Sequence, residues 1–308
     1  MSEIKMRTRI LAHMTNYEVM DYLKRNDIIF VPVGPTEMHG RYPLDIEYIG
    51  PFGLALAMAE KVDGLVLDGL KYFYNGSCAT GEGTVRMSVK DGYNYLKAIM
   101  YSLLSQGFKR IIMVSGHGTS ELTMASVMGD FFDETKHPIA WMEQMTTVRF
   151  AQTRATEEEL KRYNNFRDVG MGCYEIVGAK DELVIDPECD LPVEREMKPL
   201  GAGQTIGLPE SLKRLGHMIN LNTFAFSMAF YMGDITDHGG TDGAFRSIEA
   251  RDAACAAGLE QLRKVVDLVD AQKYVDDMRD QIEYTQTVIR DKFGSRMPWS
   301  KAFPWKAE

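Results

Sequence analysis

The sequence predicts an α/β fold: a mostly parallel central sheet with helices on both faces. Three observations carry that expectation. Ile28–Val33 (IIFVPV) and Arg110–Ser115 (RIIMVS) are apolar and rich in β-branched residues, the pattern of strands buried on both faces. Helical spacing alternates with such runs at short intervals through the first half of the chain. The 308 residues, 45% hydrophobic and 26% charged, suffice for a full core.

The elements follow in order. Asn16 to Lys24 has helical spacing, with Asn16 as N-cap. Ile28–Val33 is the first buried strand. Pro51 to Lys61 reads as a helix with Leu54, Ala55, Met58 and Ala59 on one stripe. Leu65–Leu67 is a short strand. Ser88 or Asp91 caps a helix that runs to Gln106 and stops at Gly107. Arg110–Ser115 is the second buried strand, Glu121 to Phe132 a helix, and Ile139–Met142 a further strand. Thr156–Tyr163 is a charged, solvated helix. Pro187–Pro209, with four prolines, reads as a loop or lid inserted in a single domain of residues 1–308. Ala225–Tyr231 is apolar, and Gly233–Gly243 is a Gly/Asp/Thr-rich loop. Ser247 to Tyr274 reads as one long amphipathic helix. It opens a C-terminal helix-and-tail region, 271–308, whose end from Trp299 to Trp305 should be irregular.

Composition excludes several classes. Lys and Arg number 35 against 44 Asp and Glu, a net charge of −9, which argues against nucleic acid as a partner. No apolar run approaches the roughly 18–20 residues that span a bilayer. The N-terminus carries no secretory pattern. Cys78, Cys173, Cys189 and Cys255 are scattered and form no CxxC pair, so free thiols and a cytoplasmic location are expected.

The chemistry concentrates after the two buried strands. Gly34-Pro-Thr-Glu37-Met-His39-Gly-Arg-Tyr-Pro-Leu-Asp45-Ile-Glu47 follows the first, and Ser115-Gly-His117-Gly-Thr-Ser-Glu121 the second. Ligands of open α/β sheets sit beyond the carboxyl ends of strands. Carboxylate oxygen with imidazole nitrogen suits zinc or manganese. A polar loop whose histidine caps a helix or pairs with a surface acid would read the same way. A phosphate loop is disfavoured, because neither dinucleotide spacing nor GxxxxGK[ST] is present and Arg110 is the nearest base. His13, His137 and His217 have no supporting cluster and are read as structural.

Val31-Pro-Val-Gly-Pro-Thr-Glu-Met-His-Gly40 resembles the opening motif of the creatininase (creatinine amidohydrolase) family. Ser115-Gly-His-Gly118 resembles that family's N-G-H-G element, and Gly81-Glu-Gly-Thr84 its intervening G-T loop. Gly233-Asp234 and the helix after it resemble its closing segment. The likeness is good over about 20–145 and weaker over 225–270. It implies a three-layer α/β sandwich and a dinuclear zinc or manganese site. It also implies hydrolysis of a cyclic amide or related carbonyl bond, and a homo-oligomer. By position, Glu37 and His117 would bind one metal and His39 the other. Glu47 would bridge them where the family has Asp, with Asp45 as the alternative.

The departures matter as much. Creatininase itself places a glutamate ligand where this chain has Thr119, so Glu121, Glu175 or Asp45 must replace it. The family's H-A-G-x-x-E-T segment matches Gly170-Met-Gly-Cys-Tyr-Glu175, which keeps the acid and lacks the histidine. Glu175 and His238 are therefore the expected acids for the leaving group. Tryptophans placed to flank creatinine are not recognisable, so creatinine is not the expected substrate. The expectation is a metal-dependent hydrolase opening a cyclic amide or a cyclic polyol diketone, as an inosose-ring hydrolase does. A non-catalytic small-molecule binding protein on the same fold is the alternative.

Overall fold

The computed structural model describes residues 6–163, 166–189 and 243–297. Its centre is a four-stranded, all-parallel sheet of order β2-β1-β3-β4, formed by β1 (Ile28–Val33), β2 (Leu65–Val66), β3 (Arg110–Ser115) and β4 (Ala140–Glu143). β1 and β3 pair from Ile28 with Arg110 to Val33 with Ser115, so their carboxyl ends lie side by side. Alternate strand residues feed two cores. Ile28, Phe30, Ile112 and Val114 face one side, and Ile29, Val31, Ile111 and Met113 the other. These residues are essentially fully buried, and each such side chain contributes roughly 1.5–3 kcal/mol.

Helices fill both sides. One face carries α1 (Asn16–Leu23), α3 (Val89–Gln106) and α4 (Glu121–Thr135); the other carries α2 (Ile46–Val62) and α5 (Gln144–Arg154). α6 (Glu157–Tyr163) follows. α7 (Phe166–Val177), α8 (Ile248–Leu268) and α9 (Ala271–Tyr284) complete the α2 side. The three-layer α/β architecture is the one the strand runs imply. Two two-residue strands, β5 (Val184–Ile185) and β6 (Ala244–Phe245), form a separate parallel pair.

Several boundaries differ from the sequence reading. Thr15, not Asn16, caps α1: Thr15 and Glu18 form a reciprocal capping box. Ser88 caps α3 by accepting from the Asp91 N–H, and Gly107 ends it at φ 106°. α2 begins at Ile46 rather than Pro51. Proline is favoured at a helix start, but here a turn forms before it, with Tyr48 and Ile49 N–H both donating to the Asp45 carbonyl. The helix expected over Ser247–Tyr274 is broken. Asp270 takes φ 56° and its side chain accepts from the Lys273 N–H, starting α9. Most of Pro187–Pro209, together with Ala225–Tyr231, His217, His238 and Trp299–Trp305, lies outside the described residues.

All four cysteines are buried free thiols. No described helix is long and apolar enough to cross a membrane. His137 is buried, donating through Nε2 to the Lys109 carbonyl at 2.7 Å and accepting on Nδ1 from Gln286 at 3.3 Å. Burial holds its pKa below the usual value.

The α7–α8 crossing rests on two glycines. A Cβ on Gly258 would lie 2.1 Å from the Asp168 carbonyl oxygen, and one on Gly172 would lie 2.2 Å from the Gly258 oxygen. In a helix interior alanine normally gains about 1 kcal/mol over glycine. Gly258→Ala is instead expected to cost about 2–3 kcal/mol, because the helices must separate. Urea denaturation measures this, and a neutral or stabilising result would mean the crossing is looser than the structure shows.

Candidate functional site

β1 turns through α2 to β2 on one side, and β3 turns through α4 to β4 on the other. The connections therefore diverge between β1 and β3, leaving a crevice at their carboxyl ends, where open α/β sheets bind ligands. The loop after β1 folds back on itself. Glu37 N–H donates to the Leu44 carbonyl at 2.8 Å, and Tyr42 N–H to the His39 carbonyl at 3.0 Å. Gly40 makes that turn at φ 57°. Glu47 arrives from the first turn of α2, and His117 from the loop that begins where β3 ends at Ser115.

The structure brings Glu37, Glu47 and His117 together, with one ligand atom of each within 4.8 Å of the others. His117 Nε2 lies 3.6 Å from Glu37 Oε1 and 3.6 Å from Glu47 Oε2. The other oxygen of Glu47, Oε1, lies 3.6 Å from His39 Nε2. Glu47 thus stands between two imidazoles and turns one oxygen to each. Glu37 is 0% exposed, and His39 and His117 are below 8%. For His39, burial presses the imidazole pKa down, while the carboxylates of Glu47 and Glu37 press it up and prevail.

This donor set fits a divalent ion. At 3.6 Å, nitrogen and oxygen are beyond good hydrogen-bond distance. Donors bound about 2.0–2.2 Å from one tetrahedral ion lie roughly 3.3–3.6 Å apart. Two carboxylates held together, Glu37 out of water and Glu47 partly so, are costly, and a cation offsets that cost.

A second layer of residues, which the motifs alone do not reveal, supports the first. Ser120 Oγ lies 3.2 Å from His117 Nδ1. Thr119 Oγ1 lies 3.2 and 3.1 Å from the two ring nitrogens and donates to the Tyr74 carbonyl. Ser115 Oγ accepts from the His117 N–H. Glu143 ends β4 beside Ser115 and accepts from the Met145 and Thr146 amides at the start of α5. Burial still pushes its carboxyl pKa up. A Cβ on Gly116 would lie 2.8 Å from the buried Gln144 Oε1. Strand-end position is the one sequence signal pointing to Glu143 and Gln144.

The other described candidates stand outside that group of three. Asp45 pairs with Lys71 at 3.2 Å. Glu175, on α7, pairs with Lys180 at 3.1 Å. Glu121 opens α4 directly after the His117 loop. None of these three belongs to the group formed by Glu37, Glu47 and His117. His238 lies outside the described residues.

A family model described as creatininase (creatinine amidohydrolase) matches residues 12–170. The chain is 30% identical over 107 residues to a 3-dehydro-scyllo-inosose hydrolase of Thermotoga maritima, which is 34% of each sequence. It is 25% identical over 96 residues to a creatinine amidohydrolase of Pseudomonas putida, covering 29% of this chain and 37% of that one. The chain thus spans about a third of the length of these curated relatives. A putative creatinine amidohydrolase from Bacteroides fragilis superposes with TM-score 0.55 at 16% identity, covering 89% of this chain and 97% of the other. Structures described as creatininase with Mn, and as a mutant creatininase of Zn-Zn type, superpose with TM-scores of 0.52 and 0.51. Both are 14% identical, over 90% of this chain and 99% of theirs. At these identities the structural likeness is one of fold.

Proposed function

The chain belongs to the creatininase family, whose model matches more than half of its 308 residues, and from that premise we propose that it is a metal-dependent hydrolase. The bond opened is in a cyclic carbonyl compound, either a polyol diketone or a cyclic amide. The observation that carries this reading is the buried meeting of Glu37, Glu47 and His117 at the divergence between β1 and β3. Glu37, Glu47 and His117 would hold one ion. His39 would hold a second, with Glu47 shared, and the division of Glu47's two oxygens between His39 and His117 supports that pair. Zinc and manganese both suit oxygen and imidazole donors.

Bound there, a divalent ion supplies Lewis-acid activation of water and of a carbonyl oxygen. The chain's own residues do the rest. The carboxylates of Glu37 and Glu47 fix negative charge at the crevice floor. His39 and His117 keep their Nε2 atoms turned toward Glu47. The loops after β1 and β3 exclude bulk water from Glu37. A leaving group, amide nitrogen or enolate carbon, needs a proton. Glu175, which pairs with Lys180 at 3.1 Å, and His238 are our candidate donors. A polyol ring is supported by the relative at 30% identity. Assembly into a homo-oligomer belongs to the same proposal.

Metal analysis by plasma mass spectrometry, followed by assay with cyclic polyol diketones and cyclic amides, tests this. About two equivalents of a divalent ion per chain are expected. Ring opening should stop on chelation and return with zinc or manganese. A protein that neither holds nor takes up metal, yet binds such rings unchanged, would overturn the hydrolase in favour of the binding protein.

A further inference from the structure

We propose that Ser120 is a positioning residue that fixes which nitrogen of His117 is free to bind metal. The inference rests on the metal reading of this site and goes beyond its direct ligands. An imidazole can ligate through Nε2 only when its proton sits on Nδ1, and a partner on Nδ1 fixes both the proton and the ring plane. Nε2 of His117 faces the carboxylates of Glu37 and Glu47. Nδ1 faces Ser120 Oγ at 3.2 Å. Ser120 is 1% exposed and leads into α4, so its hydroxyl cannot swing to solvent.

Thr119 is the competing partner, and its geometry disqualifies it. Its Oγ1 is nearly equidistant from the two ring nitrogens, at 3.2 and 3.1 Å. An oxygen so placed lies over the ring face, off the in-plane direction of either N–H. Its own proton goes to the Tyr74 carbonyl. Thr119 therefore packs on the ring face, while Ser120 accepts the Nδ1 proton. The Ser120 N–H also donates to the His117 carbonyl at 3.2 Å, so the same residue fixes the backbone and the ring.

Zinc and manganese affinities of the metal-free protein, measured by competition with a chromogenic chelator, test this for wild type, Ser120→Ala and Ser120→Thr. Ser120→Ala is expected to weaken binding about 10–100-fold, and Ser120→Thr, which keeps the hydroxyl, to restore most of it. In protein labelled with 15N-histidine, His117 of the wild type should carry its proton on Nδ1. Ser120→Ala should populate the other tautomer while the metal-free melting temperature holds. Unchanged affinity in Ser120→Ala overturns the proposal. So does a loss shared by Ser120→Thr with the tautomer unmoved, since that marks a packing role. Wild type that binds neither metal overturns the metal reading itself, a different and separately visible failure.

Discussion

Glu37→Gln is expected to lower divalent-metal affinity at least ~100-fold and to leave the metal-free protein no less stable than wild type. The first half follows from ligand charge. Zinc sites gain roughly 10–16 kcal/mol over four ligands, or about 3 kcal/mol each, which is about 100-fold in affinity. Glutamine keeps the shape and one oxygen but loses the charge and the stronger donor. The second half follows from burial. Glu37 is fully buried, and its carboxylate and that of Glu47 lie within 3.6 Å of the same His117 nitrogen. Removing one of two neighbouring carboxylates, Glu37 buried and Glu47 partly buried, relieves repulsion when no cation is present. The readouts therefore move in opposite directions. Metal at about 100 times its dissociation constant should stabilise wild type by about 2.7 kcal/mol, and this increment should fall to about 0.4 kcal/mol or less in the variant at the same concentration. Melting curves with and without chelator measure both. A variant that melts far below metal-free wild type would make Glu37 a structural partner instead of a ligand.

The two loops that carry this prediction were legible because their strands are. Ile28–Val33 and Arg110–Ser115 are buried on both faces, and such strands announce themselves as unbroken apolar runs. A histidine loop after each then marks the crevice. What surrounds those loops was less readable, for physical reasons. Pro51 reads as a helix start, which leaves Glu47 in the loop before it. α2 in fact begins at Ile46 and carries Glu47 on its first turn. Gly170-Met-Gly-Cys-Tyr-Glu175 reads as a motif that keeps its acid and lacks its histidine, whereas the structure puts Gly172 in α7 where it meets Gly258. β5 and β6 have two residues each and meet from opposite sides of a 58-residue gap, below what periodicity can register. Ser120, Thr119 and Gln144 act through neighbours distant in sequence or through ring geometry. No local pattern encodes either.

Gly34→Ala should damage fold and site together, at about 3 kcal/mol or more of stability with metal affinity falling alongside. Gly34 is not a turn glycine of positive φ; it marks a close approach. A Cβ there would lie 2.2 Å from the Glu47 carbonyl oxygen, 2.6 Å from its carbon and 2.7 Å from the Tyr48 nitrogen. All three are backbone atoms, so no side chain can rotate away. Pro51, four residues on, has no N–H to give the Glu47 carbonyl, so the helix backbone there can lie directly against the end of β1. Neither partner can retreat cheaply. Gly34 is tied to β2's side by its N–H donating to the Leu70 carbonyl. Leu54, Ala55, Met58 and Ala59 of α2 are fully buried in the core. Displacing a packed helix exceeds ordinary overpacking, which costs about 1–3 kcal/mol. Any molecule that still folds must carry Glu47 away from His117 and His39, so chelator competition should show weakened binding even in the folded fraction. Gly40→Ala is the control: it meets a positive φ of 57° and should cost only about 1–2 kcal/mol. If Gly34→Ala matched wild type in both urea midpoint and metal affinity, the contact between β1 and α2 would not be what places Glu47.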